Sequence, residues 1–153
     1  MPTAVVELIA QNIVTALQGV TITAGYTNTL TVERRKPHGN DPIRNGLAVL
    51  FQGDPDESQG EPTQRKEWVQ PFHVLLCAIE PENSEVSIDA RLNSLRADVE
   101  KALMASPNRG GYAVDTTIRA PHIATNAHGD AQGVVVNFDV KYRTSYTDPY
   151  TQG

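Results

Sequence analysis

Between Val134 and Tyr146 the chain alternates apolar and polar residues almost without error. Val134, Val136, Phe138, Val140, Tyr142 and Tyr146 fall on one face, and Asn137, Asp139, Lys141, Arg143 and Ser145 on the other. A period of two over that length is a β-strand with one buried and one wet face. At about 3.3 Å per residue it runs roughly 40 Å. That is far beyond the usual strand of about five to six residues. Such a strand either leaves the body of a small fold or lines a large shared surface. Pro149, in the run Thr147-Asp148-Pro149-Tyr150, cannot donate to a ladder and ends the sheet. The pattern points to an assembly part rather than to an enzyme.

The rest of the chain supplies what such a strand packs against. From Thr3 to Gly19, Val5, Val6, Ile9, Ile13, Ala16 and Leu17 recur at helical spacing, with Thr3 as the expected N-cap and Gly19 as the stop. Leu30 to Arg34 and Leu47 to Gln52 read as strands, separated by a loop at 36–42. Gly53 to Arg65 holds acids, amides, glycine and proline but no aliphatic or aromatic residue, so it is expected to be a flexible loop, solvated or held by a partner. Trp68 to Ile79 is a third strand, in which Pro71 implies an edge position or a bulge. After a turn at 80–83 a second helix is expected from Ser84. Its stripe is Ile88, Leu92, Leu95, Val99, Ala102 and Leu103, and Arg91, Asn93, Arg96, Asp98 and Glu100 face away. Ser106 to Gly111 ends it, residues 114–124 form a strand interrupted by Pro121, and 126–130 turn into the long final strand. This order predicts an α+β fold: an antiparallel or mixed sheet of about five strands, with two helices packed on one face and a polar face left free.

With 153 residues the chain suits a single domain, 1–153, in which 147–153 is a C-terminal tail. A net charge of -5 argues against a surface that coats nucleic acid. Cys77 is the only cysteine and lies in the apolar run Val74 to Ile79, where a buried, inert thiol is expected. No run approaches the roughly 18 apolar residues that span a bilayer. The first residues, Met1 to Ala4, lack the basic start of a secretory signal, so synthesis and assembly in a cytoplasm are expected.

Motifs for chemistry are mostly missing. Asp54 to Gly60 begins like a calcium loop, but the glycine sits one position late and Arg65 stands where a bidentate glutamate belongs. His38, His73, His122 and His128 are scattered, with no second cysteine to complete a metal site. There is no nucleophile elbow, and Gly110-Gly111 follows a helix instead of opening one, so it cradles no phosphate. No enzyme activity, cofactor or metal is expected; a small enzyme of unknown type is the rival class, and it needs a pocket with convergent polar groups. The candidate functional residues are therefore interface residues. They are the basic pair Arg34 and Arg35, the acids Asp54, Asp56 and Glu57, the wet-face pair Asp139 and Arg143, and the late aromatics Tyr146 and Tyr150. Trp68 and Tyr142 are assigned to the core.

Taken together, the layout resembles the tail terminator (tail completion) proteins of long-tailed bacteriophages. The likeness covers nearly the full length. It lies in the helix Val5 to Leu17 before the first strand, the strand Trp68 to Ile79 running into the helix of Ile88, Leu92, Leu95 and Val99, and Gly110-Gly111 after that helix. The final strand ending in Val140-Lys141-Tyr142-Arg143-Thr144, followed by Asp148-Pro149-Tyr150, completes it. The resemblance implies a virion protein with no catalytic residues. It would form a homo-hexameric ring that caps the tail tube protein, meets a head-tail connector or neck protein, and lets DNA pass through its lumen without specific binding. Head-tail connector and head-closure proteins of this size are the nearest alternative.

Overall fold

The computed structural model describes residues 2–37, 45–58, 65–79, 87–125 and 131–153. Residues 38–42 of the loop expected at 36–42 and the turns expected at 80–83 and 126–130, with His38 and His128, lie outside them, as do residues 59–64 and the helix start expected at Ser84. In chain order come helix α1 (Val5–Gln18), strands β1 (Thr31–Arg34), β2 (Leu47–Gln52), β3 (Asp56–Ser58) and β4 (Arg65–Ile79), helix α2 (Ile88–Met104), and strands β5 (Asp115–Ile118), β6 (His122–Thr125) and β7 (Ala131–Ser145). The fold is α+β: an open mixed sheet in the order β1-β2-β4-β7-β5, with both helices on one face.

The long final strand does not leave the fold. It is matched by β4, also 15 residues long, and the two pair antiparallel from Arg65↔Ser145 to Ile79↔Ala131. One strand, β3, was not legible, and the strand expected over 114–124 is divided near Pro121 into β5 and β6; bulges explain both. Gln52 pairs with Phe72 and Asp56 with Val69, so three residues face two and β3 continues β2 past a bulge. Ile118 pairs with Phe138 and His122 with Val135, so β5 and β6 are separated in the same way at Arg119 to Pro121. Seven strands replace about five. Asp56–Ser58 is thus strand, not loop, although it carries no apolar residue: backbone pairing with the extension of β4 holds it. Pro71 sits in a central strand, not at an edge. The bulge lies opposite it, where Gly53 donates its N–H to the Pro71 carbonyl at 2.9 Å. Buried Gln70 donates to the carbonyls of Gly53 (2.7 Å) and Pro71 (3.0 Å) and fixes the kink.

The core lies between sheet and helices. Phe72, Val74 and Leu76 of β4 and Val134, Val136, Phe138 and Val140 of β7 meet Ile9, Ile13 and Leu17 of α1 and Leu92, Leu95, Val99 and Leu103 of α2. Period two in the strands and spacings of three and four in the helices deliver these side chains to one layer. The opposite face is not uniformly polar, as expected, because β2 is apolar on both sides. Leu47 and Val49 join Cys77 in a second buried cluster, with Phe51 and Leu75 packed against it. Burial there raises the Cys77 thiol above its ordinary pKa and keeps it protonated at neutral pH.

Two helix details also differ from expectation. The N-cap of α1 is Ala4, not Thr3, and no side chain caps it; the Val5 N–H is taken by the carbonyl of Pro149 at 3.2 Å. A backbone group from the far end of the chain therefore satisfies one of the helix's orphan donors. Asp98 does not face away. It is buried, its Oδ2 accepting from the Asn28 N–H (2.8 Å) and Asn28 Nδ2 (2.9 Å), and its Oδ1 from the Thr27 N–H (3.3 Å). Asn28 Nδ2 also reaches Ser94 Oγ at 2.8 Å, so α2 pins the segment that leads into β1.

Candidate interface surfaces

The register of the sheet gathers six of the nine candidate interface residues at one end, where β4 starts and β7 finishes. Asp56 lies opposite Val69, Glu57 opposite Trp68 and Arg143 opposite Glu67. Asp54 sits in the adjoining bulge, and Tyr146 follows Ser145, the partner of Arg65. Tyr150 returns to the same place because the last residues fold back on β7. Thr144 bridges to Gln152, and Ser145 donates its N–H to the Thr151 carbonyl at 2.8 Å. Residues 147–153 are thus a turn rather than a trailing tail. The Thr151 hydroxyl and the Tyr150 N–H hold the half-buried Asp148 carboxyl below its usual pKa, partly offset by desolvation.

The remaining candidates lie elsewhere. Arg34, at the β1 edge, pairs with Glu7 of α1 at 2.6 Å and with Gln52 Oε1 at 2.9 Å, so it ties helix to sheet. Arg35 is exposed and covers the Phe51 ring at 5.9 Å. Asp139 occupies the middle of β7 and pairs with Arg119 at 3.1 Å.

On the face turned away from the helices, Glu67 lies between Arg143 (2.9 Å) and Lys141 (3.6 Å). Together with Arg119 and Asp139 this makes a charged strip along β7. In the middle of that face His73 Nδ1 and Asn137 Oδ1 are 2.6 Å apart, while Asn137 Nδ2 donates to the Ala120 carbonyl. Since the amide nitrogen is so engaged, its oxygen accepts and His73 Nδ1 carries the proton. This cross-strand pair joins the two bulges, since a Cβ on Gly53 would lie 3.1 Å from His73 Nε2.

On the helix side of the same sheet end a groove of about 420 Å³ opens between the start of α1, Pro55 of the bulge and the C-terminal turn. Its floor is Trp68 and Tyr142, paired across β4 and β7. Tyr142 is buried and its phenol is raised in pKa by that burial; Trp68 is half-buried and Tyr146 is exposed. Lys66 Nζ lies 5.0 Å from the centroid of the Tyr146 ring and 5.8 Å from that of Trp68, both cation–π distances. Among the described residues the groove is lined by hydroxyl-bearing side chains and one ammonium, with no carboxylate or imidazole. Among those residues nothing makes an acid–base or nucleophile–base pair. Among the described residues no group of three or more histidines, cysteines and acids is arranged to hold a metal, and no helix is long and apolar enough to cross a membrane.

A second polar residue escaped sequence reasoning. Arg109 has φ +51° and is fully buried beyond the end of α2, where its guanidinium donates to the carbonyls of Leu103 and Ser106. The Leu103 carbonyl is an orphan acceptor of the last turn of α2, a role suited to a basic side chain, while the Ser106 carbonyl, past the helix end, also accepts the Arg109 N–H at 3.0 Å. Among the described residues its Nε and Nη1 find no partner, nor does Asn12 Oδ1. Burial lowers its pKa to about 10. Gly110 and Gly111 follow at φ +69° and +94°, the conformation that lets the chain reverse around the buried side chain.

No family model matches the sequence, and no curated protein matches it significantly.

Proposed function

We propose that this chain is a structural virion protein of a long-tailed bacteriophage, closing as a ring on the finished tail tube and offering the surface on which the head is joined. The observation that carries this reading is the gathering of Asp54, Asp56, Glu57, Arg143, Tyr146 and Tyr150 at one end of the sheet. Charged and aromatic groups drawn from three stretches of sequence share one end of the sheet, and among the described residues no catalytic arrangement lies beside them. Tyrosine and arginine are among the residue types enriched at interfaces, and the acids beside them can select a partner by charge. The open sheet adds a route to assembly: a patch near one edge that meets a different patch on the next copy makes a heterologous contact, and such contacts close into rings. An acidic chain around a DNA-sized lumen would repel the phosphate backbone and favour passage over sticking.

Variants on the charged strip test the surface separately from the fold. Asp139→Ala and Arg143→Ala each remove one partner of a partly exposed ion pair on the sheet surface, so each should cost about 1 kcal/mol of stability, the upper end for surface pairs. Both proteins should melt near the wild-type temperature and join heads to tails poorly in vitro. Wild-type joining by both would move the contact surface off this strip.

A further inference from the structure

We propose that the groove between α1, the β2–β3 bulge and the C-terminal turn binds an extended, proline-bearing segment of another polypeptide that carries one carboxylate beside a basic residue. Three observations lead there. First, the walls are flat and rigid: Trp68, Tyr142 and Tyr146 with Pro55 and Pro149. Aromatic-lined grooves favour polyproline-type segments, which are already extended and lose little entropy on docking. Second, among the described residues Lys66 is the groove's one charged side chain, and no carboxylate lies within ion-pair distance of it. Its ammonium rests on two rings, partly shielded from water, where an incoming carboxylate gains more than it would at an open surface. Third, the rim has the opposite sign. Glu57 is exposed and, as the register partner of Trp68, lies on the groove's side of the sheet, and Asp54 is exposed in the bulge beside Pro55, whereas Asp56, partner of Val69, faces the other side. The rim repels a run of acids and attracts a cation next to the residue that meets Lys66. The hydroxyls of Thr144, Ser145 and Thr147 line the same groove, within reach of the backbone of such a segment.

Trp68 is the only tryptophan in the chain and forms the groove's floor, so tryptophan emission is a local probe of it. The purified protein is titrated with a capped peptide, Pro-Pro-Glu-Arg-Pro-Pro, then with its Glu-to-Gln and all-acidic forms. A saturable change in Trp68 emission is expected, weakened about tenfold, or roughly 1.4 kcal/mol, by the Gln form. The all-acidic form should bind more weakly still. Lys66→Gln should abolish the difference between the Glu and Gln peptides, and Tyr146→Ala, a change at an exposed ring, should weaken every peptide while leaving the circular dichroism unchanged. No saturable change up to millimolar peptide overturns the assignment, and so does equal binding of the Glu and Gln peptides to the wild type. A change in Trp68 emission on raising the protein's own concentration, without peptide, also overturns it, because the occupant is then a second copy of this chain. Peptide docking needs no ring, so its failure leaves the tail-capping reading standing, and a failure to form rings leaves the titration interpretable.

Discussion

Phe138→Ala should cost about 3–5 kcal/mol of folding stability and lower the melting temperature by roughly 6–20 °C, at about 2–4 °C per kcal/mol for a chain of this size. The ring is fully buried and stacks on Phe72, its register partner across β4 and β7, with centroids 5.7 Å apart and 18° between planes. Removing it leaves a cavity in the middle of the two longest strands, where the backbone ladder resists collapse on both sides. Typical domains hold about 5–15 kcal/mol in total, so this one change consumes a large share. The unfolding midpoint in denaturant should fall with its slope unchanged. A loss below about 1 kcal/mol would mean that the two rings are not packed as the structure has them.

Asp98→Ala should follow, at about 1.5–3 kcal/mol, the range for hydrogen bonds to a charged group. Three donors meet this carboxylate: the N–H groups of Thr27 and Asn28, and Asn28 Nδ2. Thr27 is exposed, so its N–H reaches water once the acceptor is gone, which keeps the loss below that of a fully buried cluster. Asp98→Asn keeps an oxygen but turns an NH₂ toward donors, so it should recover only part of the loss. Combining Asp98→Ala with Asn28→Ala should cost clearly less than the sum of the two, with a coupling of about 0.5–3 kcal/mol for residues in direct contact. Strict additivity in chemical denaturation would show that the two side chains act separately.

Asp98 also marks where the sequence stops being readable. By spacing it belongs with Leu95, Val99 and Ala102, on the inward face of α2; its charge argued for the outside. What reverses that argument is a pair of backbone N–H groups some seventy residues earlier, which no local pattern announces. Arg109 is the same case, its acceptors being helix-end carbonyls rather than an acid. β7 and the helix stripes were legible because burial imposes a period, two or 3.6, on the apolar residues themselves. β3 was not, since a strand held by backbone bonds alone leaves no mark on side-chain hydropathy. The candidate interface end was half legible. Its tyrosines, acids and arginine stood out one by one, but only the register of β3, β4 and β7 brings them together. The groove joins residues near 4, 55, 66 and 145, and each of these lies in a different element or turn.

Sedimentation of the purified chain, alone and mixed with a matching tail tube, combined with imaging of the tube ends, addresses ring closure without any mutation. The expected result is a closed six-fold ring of this chain, free or seated on one end of every tube. A protein that stays monomeric at all concentrations and never joins the tube would contradict the proposed role.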